Sequence, residues 1–539
     1  MTSAAARRAD RSPPDASQRG PRGLAGGTTA LAISVAIFTR YRLDDTLKRD
    51  EAIYAYAGQQ LTHGVAPYAS IFDPKTPLAS LLTGVGAAVG NAVGVNDLKA
   101  MRLLYLLLSC ATVLAVYALA RTLFRSDLAA LASATVFASF RGFAMDALAG
   151  PDAKTPGLLF GMLAMVCALR RRWFAAGLLG ALAFLVWQPL AIYVAVALLA
   201  AAVGPHTSHR LRALARIAIG ALLPVVIVAF YFVTTGAFGR LVEAAVDFPL
   251  TGVKRAHRTL SERGGHILSV VMNGYRESGW LFLAGTVLFL GLALAALLRR
   301  NRDNSDYASR VESVRQPFLT IVVASFLGIV VFSLADFQGI PDLYPLLVYS
   351  ALGVGGAVAT GQRALAGAPR RALGGVGLIG VLVLTFFALS WSSNDKASDR
   401  LLSSQRADAC ALSRLAGSGV LYSLGDPTPL VLSHRRNPSR FVYLNSGVDH
   451  WVINRTPGGI AGWHREILAT RPAVVTLNHW FSKPARRTDA WLASTYDPGY
   501  VGRLRVFLAP GVRQRAATLG INVTTTPVRS DEHAPAGRC

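Results

Sequence analysis

Charged residues are scarce in this sequence, and their scarcity sets its class. Only 16% of the 539 residues are Asp, Glu, Lys or Arg, whereas 52% are hydrophobic, and the mean hydropathy is +0.40. This composition is too apolar for a soluble protein, and the chain is too long for one simple core. The sequence therefore predicts a polytopic membrane protein.

Acidic residues and cysteines are also few. The formal net charge is +25, but Lys and Arg cluster at the ends of apolar stretches and in the two tails. That placement indicates membrane topology, with anionic lipid headgroups as the partners of the positive charge, and not nucleic acid. The four cysteines are scattered, so neither a disulfide framework nor a metal-binding spacing is visible. The sequence also lacks a Walker motif, a dinucleotide fingerprint and a convincing internal repeat.

Long apolar stretches are what the sequence does contain. A membrane-spanning helix needs roughly 20 apolar residues. Eleven stretches are candidates, some of them short: residues 24–40, 101–121, 127–145, 153–169, 173–187, 189–203, 215–234, 278–298, 316–335, 344–360 and 372–391. We predict an all-α transmembrane domain over residues 24–391, preceded by a disordered, basic cytoplasmic tail over residues 1–23.

A further apolar run, residues 77–95, decides the topology. If it does not cross the membrane, the Arg-rich turns at 121–125, 170–172 and 299–315 all lie in the cytoplasm with the basic N-terminus. If it does cross, these assignments invert. We therefore predict a re-entrant or interfacial helix at 77–95 in a multi-pass plasma (inner) membrane protein. Residues 41–99, 236–277 and 392–539 then lie outside the cytoplasm.

The composition turns polar after residue 392. Short apolar runs at 419–424, 440–444, 472–477 and 504–508 alternate with helix-like stretches near 400–416 and 458–469. This alternation is typical of a small α/β domain. We predict an extracytoplasmic α/β domain over residues 392–510 and a disordered tail over residues 511–539.

Two acids open the most informative stretch of the predicted outer loop. Asp50 and Glu51 precede Tyr54 at helical spacing, and ionisable groups at a membrane boundary suggest a functional site. Asp50 could be a helix N-cap. It could equally be a general base, with a pKa that burial raises and the helix terminus lowers. Glu51 could be a second carboxylate of the site or a solvated first-turn acid.

Three more charged residues have two interpretations each. Lys75, just before Pro77, and Arg102 could anchor the chain to headgroups, or they could hold the phosphate of a lipid carrier at the same depth. Asp152, which follows Pro151, could only cap a helix. In the predicted topology, however, it lies on the same membrane face as Asp50.

The order of these residues resembles the GT-C superfamily of polyprenyl-phosphate-sugar-dependent glycosyltransferases, which includes protein O-mannosyltransferases and lipid A aminoarabinose transferases. The pattern is Asp-Glu-x-x-Tyr, Gly-x-x-Pro-Tyr and Asp-x-Lys-x-Pro-Leu, followed by an Arg-Leu and a Pro-Asp. The matching positions are Asp50, Glu51, Tyr54, Gly64, Pro67, Tyr68, Asp73, Lys75, Pro77, Leu78, Arg102 and Asp152. The resemblance is sharp over residues 41–172. Beyond them, residues 337–345 are similar to the aromatic, proline-containing loop before a late span in such enzymes.

The resemblance implies inverting transfer of a sugar from a polyprenyl-phosphate carrier to an extracytoplasmic hydroxyl of a glycan, lipid or protein. No cofactor and no metal is required, although the acids could bind a divalent ion adventitiously. By role, the implied residues are catalytic Asp50, Glu51 and Asp152, phosphate-binding Lys75 and Arg102, and substrate-binding Tyr54 and Tyr68.

Two other classes of function stay open. A transporter or flippase of a polyprenyl-linked glycan would place charges within several spans and show paired halves, whereas here the acids gather at one face. A non-catalytic envelope scaffold would bind wall components through the C-terminal domain, and it predicts that Asp50 is dispensable.

Overall fold

The computed structural model describes residues 21–204, 209–252, 259–298, 316–365, 370–394 and 402–527, and most of them are helical. The predicted tail 1–23 lies outside the described residues except for its last three. Each of the eleven apolar stretches overlaps a helix, but the stretch 127–145 is divided between two helices, and the count of eleven spans stays a prediction. The helices up to residue 203 are α1 (Pro21–Phe38), α2 (Arg49–Thr62), α3 (Leu78–Ala92), α4 (Asp97–Phe124), α5 (Asp127–Ser139), α6 (Arg141–Asp146), α7 (Lys154–Leu169), α8 (Trp173–Val186) and α9 (Ile192–Val203).

The remaining helices up to residue 394 continue the membrane domain. They are α10 (Arg210–Thr234), α11 (Phe238–Val242) with a π-helix (Glu243–Gly252), α12 (Leu260–Tyr275), α13 (Glu277–Leu298), α14 (Ala324–Ala335), α15 (Tyr344–Ala364) and α16 (Arg370–Asn394). In the described ranges, five helices are long and apolar enough to cross a membrane, and seven shorter apolar helices accompany them. The protein is an integral membrane protein, as predicted.

Helix α3 packs closely against α2, where Gly58 faces Thr83 and Gly84 faces Leu61. At its first turn, the Tyr105 hydroxyl donates to the carbonyl of Ala79 at 3.3 Å. After its last turn, the Asp97 carboxylate accepts a hydrogen bond from Gln59 of α2 at 2.7 Å and lies 3.7 Å from His434 of the C-terminal domain. Helix α3 therefore starts beside α4, and the start of α4 lies beside α2; whether residues 77–95 cross the membrane stays a prediction.

The C-terminal domain contains a four-stranded sheet between helices. Its elements are α17 (Leu402–Ala416), β1 (Val420–Leu424), α18 (Thr428–Ser433), α19 (Val448–Arg455), α20 (Gly459–Ala469), β2 (Pro472–Leu477), α21 (Lys483–Thr495), β3 (Asp497–Val501), β4 (Leu504–Leu508) and α22 (Val512–Thr518). The strand order is β1-β2-β4-β3. Strand β1 pairs with β2 in parallel, and the other two pairings are antiparallel.

Three details of this domain differ from the sequence prediction. The run 440–444 forms no strand, and β3 was missed because it contains Pro498 and Gly499, which are depleted in strands. Residues 511–527 are ordered, because Val512 and Ala516 of α22 are buried and Thr524 pairs with Tyr500. The predicted disordered tail therefore does not begin at residue 511, and residues 528–539 lie outside the described residues.

Helix α2 joins the two halves of the molecule. Leu47, Ala52 and Ala57 pack in one core with Leu412 and Leu430 of the C-terminal domain. The segment from Glu51 to Gln60 is buried throughout. Because this contact is a continuous core, the predicted outer loop and the C-terminal domain lie on the same side of the membrane.

Candidate active site

Asp50 does not cap α2. The N-cap is Lys48, and its backbone N–H donates a hydrogen bond to the Glu51 carboxylate at 3.1 Å. Glu51 therefore occupies the acidic position of a capping box. Asp50 lies one residue inside the helix with its side chain 67% exposed, bonded to Arg49 at 3.1 Å. The N-cap interpretation of Asp50 is wrong, and its carboxylate is open to a ligand.

Glu51 is buried instead of solvated. Its carboxylate lies 3.5 Å from Lys48 Nζ, which in turn bonds Asp146 at 2.5 Å. The hydroxyl of Tyr344 donates to the same Asp146 at 2.6 Å. Burial raises the pKa of Glu51 to about 7, although Lys48 opposes the rise. Through Lys48, Glu51 thus ties the start of α2 to the last residue of α6, and a solvated first-turn role is excluded.

Lys75 is held by two tyrosines and an aspartate. Its Nζ donates to the Tyr54 hydroxyl at 2.9 Å, and its carbonyl accepts from the Tyr68 hydroxyl at 2.6 Å. Its backbone N–H donates to Asp73 Oδ1 at 3.1 Å, a local Asx turn. Burial lowers the pKa of Lys75, but Asp73 and Asp50 raise it more, so the net pKa is above its ordinary value and the ammonium persists. The structure therefore brings Tyr54 and Tyr68 to Lys75; contact of either with substrate stays a prediction.

Asp152 does cap α7. Its Oδ1 accepts the backbone N–H groups of Lys154 at 2.5 Å and Thr155 at 2.8 Å, while its Oδ2 is buried with no hydrogen-bond partner. Lys154 Nζ, projected from the same turn, lies 3.3 Å from Asp342 and 5.1 Å from the centre of the Trp187 ring. One oxygen of Asp152 thus serves the helix, and the other remains available to the site.

Arg102 is fully buried at 0% exposure. Its guanidinium donates to the carbonyl of Leu43 at 2.6 Å and to that of Thr46 at 3.4 Å. These contacts fix the loop that leads into α2. The phosphate-binding role of Arg102 stays a prediction, whereas its support of the loop is visible.

Three cations act on the Asp50 carboxylate, and one of them, Arg49, contacts it directly. Desolvation by the surrounding cleft raises the pKa of Asp50. The positive charges of Lys75, Arg49 and Lys154 lower it by more, so the net pKa lies below its ordinary value. Arg49 and Lys154 were not among the sequence-predicted site residues. Arg49 was adjacent to the motif, and Lys154 was two residues past Asp152, so both had a local signal. Among the described residues, no group of three or more His, Cys, Asp or Glu side chains is arranged to hold a metal ion.

The C-terminal domain completes the rim of the site. Arg49 Nη1 donates to the carbonyl of His479 at 3.2 Å, and its guanidinium carbon lies 5.2 Å from the Tyr443 ring centre. The backbone N–H of Phe72 donates to the carbonyl of Arg440 at 2.8 Å. No local sequence pattern predicts these contacts, because the two residues of each pair are several hundred positions apart.

Comparison with solved structures confirms, at the level of fold, the resemblance drawn from the motifs. The crystal structure of apo ArnT from Cupriavidus metallidurans aligns over 89% of this chain and 97% of its own, with a TM-score of 0.55 and 15% identity. The same protein bound to undecaprenyl phosphate aligns over 92% and 99%, with a TM-score of 0.57 and 14% identity.

A second relative in structure is the apo oligosaccharyltransferase of Archaeoglobus fulgidus. It aligns over 84% of this chain and 69% of its own, with a TM-score of 0.51 and 14% identity. In sequence, the chain matches no family model and no curated protein. At these identities the likeness concerns the fold, and the chemistry must be argued from the residues of this chain.

Proposed function

We propose that this protein is a membrane glycosyltransferase that moves a sugar, with inversion, from a polyprenyl-phosphate carrier to an acceptor hydroxyl outside the cytoplasm. One observation carries the proposal: in a GT-C-like fold, the exposed carboxylate of Asp50 is paired with Arg49 and lies within the electrostatic field of Lys75 and Lys154. A carboxylate beside several cations provides a proton acceptor next to a binding place for phosphate.

The transfer step balances with these groups. The acceptor oxygen forms a bond to the anomeric carbon while the bond from that carbon to the phosphate oxygen breaks. The electron pair leaves with the polyprenyl phosphate, whose growing negative charge is stabilised by the Lys75 ammonium. Asp50 takes the proton of the acceptor hydroxyl. Tyr54 and Tyr68 keep Lys75 in position, and Asp152 Oδ2 is placed to accept a hydrogen bond from a sugar or acceptor hydroxyl.

Donor binding also adjusts Asp50 as a base. In the free protein the cations hold the pKa of Asp50 below its ordinary value, which makes the carboxylate a weak proton acceptor. A bound phosphate places negative charge on Lys75, cancels part of that field and raises the pKa of Asp50. The base therefore becomes stronger when a donor is present.

Two features support the proposed location of the C-terminal domain outside the cytoplasm: the distribution of the basic turns and the state of one cysteine. The basic turns predict the topology. In addition, Cys410 of the C-terminal domain is disulfide-bonded, whereas Cys110 and Cys167 are free. The scattered cysteine spacing had not indicated a bond at Cys410. Disulfides persist in oxidising compartments, which supports an extracytoplasmic C-terminal domain.

Binding of undecaprenyl phosphate tests the donor half of this proposal. The purified protein in detergent should gain thermal stability from the lipid, as expected for any ligand that binds only the folded state. Lys75→Met should lose most of that gain, because the desolvated phosphate then lacks its cation. Lys99→Met is the matched control, since Lys99 is an exposed lysine in the first turn of α4.

The same experiment has a clear negative result. Equal stabilisation of wild type, Lys75→Met and Lys99→Met would show that Lys75 is a membrane anchor. The melting temperature of each variant without lipid shows whether it folds, which separates a lost ligand contact from a damaged protein.

A further inference from the structure

A cleft of about 340 Å³ lies in the C-terminal domain, and the carbonyl of its lining residue His479 accepts a hydrogen bond from Arg49 of the proposed active site at 3.2 Å. It opens at the carboxyl ends of the parallel strands β1 and β2, where open α/β sheets commonly bind ligands. Its volume is at the low end of the roughly 300 to 1,000 Å³ typical of small-molecule sites, which suits a mono- or disaccharide. Its lining includes Asp426, Asn478, His479 and Phe481.

The walls of the cleft carry the chemistry of a sugar site. The Phe481 side chain is 83% exposed, and its ring meets the His479 ring edge-to-face at 6.5 Å. An exposed aromatic face attracts the C–H groups of a sugar ring through its negative quadrupole. Asp426 is 4% exposed, and its Oδ2 lies 3.6 Å from His479 Nε2, too far for a direct hydrogen bond. Both atoms therefore retain hydrogen-bonding capacity for a ligand hydroxyl.

The backbone of the cleft is built tightly. His479 adopts a left-handed conformation with φ +55°, which is strained for a residue other than glycine. Two side chains hold its carbonyl: Asn445 Nδ2 at 2.9 Å and Arg49 Nη1 at 3.2 Å. A side chain at Gly425, which has φ +90°, would approach the Asn478 carbonyl to 2.1 Å. The two loops thus meet more closely than a residue with a side chain permits.

Arg49 connects the cleft to the proposed base. Its guanidinium bonds the Asp50 carboxylate at 3.1 Å and the His479 carbonyl at 3.2 Å. The lining residue His479 is therefore joined to the proposed base through a single side chain. This connection would let a sugar unit in the cleft adjoin the acceptor hydroxyl.

A peptide is a poorer candidate for this place. Extended peptides commonly bind by adding a strand to a free sheet edge, and both edges of this sheet are hydrogen-bonded. At β1, the backbone N–H of Ser423 donates to Asn437 Oδ1 at 2.8 Å. At β3, Tyr500 and Thr524 exchange backbone hydrogen bonds at 2.8 and 3.0 Å.

We propose that this cleft is a carbohydrate-binding subsite for the acceptor, so that the acceptor of the proposed transferase is a glycan. The assignment to the acceptor rests on the proposed function; the capacity to bind carbohydrate does not. Phe481 provides the stacking surface, and Asp426 and His479 bind the hydroxyls.

Glycan-array binding of the full-length protein in detergent tests the subsite. Wild type should bind a subset of printed mono- and disaccharides. Phe481→Ala should reduce the apparent affinity for that subset at least about fivefold, as for a buried aromatic contact in an interface. Asp426→Asn, which keeps the acceptor oxygen toward the Thr428 N–H, should also reduce it. Leu468→Ala, at another exposed apolar position of this domain, should not.

Two variants distinguish failure of the carbohydrate subsite from failure of the proposed transferase activity. Asp50→Asn should keep glycan binding, because the subsite does not use the base, and Phe481→Ala should keep stabilisation by undecaprenyl phosphate. The subsite is disproved if wild type binds no printed glycan, or if Phe481→Ala and Asp426→Asn bind as wild type does. Binding of wild type to Ser- and Thr-rich peptides on the same array, but to no glycan, would instead assign the cleft to a protein acceptor.

Discussion

The replacement Asp50→Asn separates catalysis from folding at one position. Asparagine keeps the shape of aspartate but cannot take a proton from an acceptor hydroxyl. Asp50 caps nothing, and the structure gives its carboxylate one salt bridge, to Arg49 at 3.1 Å, with its own side chain 67% exposed. An exposed ion pair contributes at most about 1 kcal/mol. For a protein of this size the melting temperature should therefore change by less than about 4 °C.

The expected effect on turnover is far larger. Loss of a general base typically costs about a hundredfold or more. The transfer rate and the melting temperature should be measured on the same preparation. Asp44→Asn is the matched control, because Asp44 is also an exposed acid of the outer loop, 60% exposed and paired with Arg42 at 3.0 Å, and it should keep full activity.

Two results would refute the reasoning about Asp50. Turnover near that of wild type would remove Asp50 from the mechanism and favour a non-catalytic role for the chain. A large fall in melting temperature with proportionate loss of activity would show that Asp50 supports the fold, against the contacts seen here.

Three further predictions follow from the site. The pKa of Glu51 is raised to about 7 from 4.5, so between these pH values the folded state binds a proton that the unfolded state has released. The melting temperature of wild type, relative to that of Glu51→Gln, should therefore fall as the pH rises from about 4.5 to 7. A constant difference in melting temperature between the two proteins over this range would contradict the prediction. Tyr54→Phe removes the 2.9 Å bond to Lys75 Nζ and should weaken undecaprenyl phosphate binding about threefold to tenfold, whereas unchanged binding would exclude a positioning role. In intact cells, a membrane-impermeant maleimide should label Arg487→Cys but should label Arg171→Cys only after permeabilisation, and the reverse pattern would overturn the topology.

Local spacing explains what the sequence could predict of the site. Asp50, Glu51 and Tyr54 lie on one helix, and Lys75 follows its Asx turn within the same loop. Pairings between distant segments were out of reach. Lys48 and Asp146 are 98 residues apart, and the sequence around either residue does not indicate that they form an ion pair.

The fold shows the same division. Apolar stretches predicted the membrane helices because length and hydropathy are local properties. The missed strand β3 is stabilised by pairing with β4 along its whole length, and tertiary pairing overrides the low strand propensity of Pro498 and Gly499. The ordered segment after residue 511 depends on burial of Val512 and Ala516 against the domain core, which composition alone does not reveal.

Consumption of the donor tests the central claim most directly. Purified protein in proteoliposomes should be supplied with native polyprenyl-phosphate sugars and a delipidated cell-envelope acceptor, and the lipids should be quantified by mass spectrometry. The account predicts that a polyprenyl-phosphate sugar disappears while the corresponding polyprenyl phosphate accumulates, and that Asp50→Asn abolishes this exchange. An unchanged lipid pool, or equal consumption by wild type and Asp50→Asn, would contradict it.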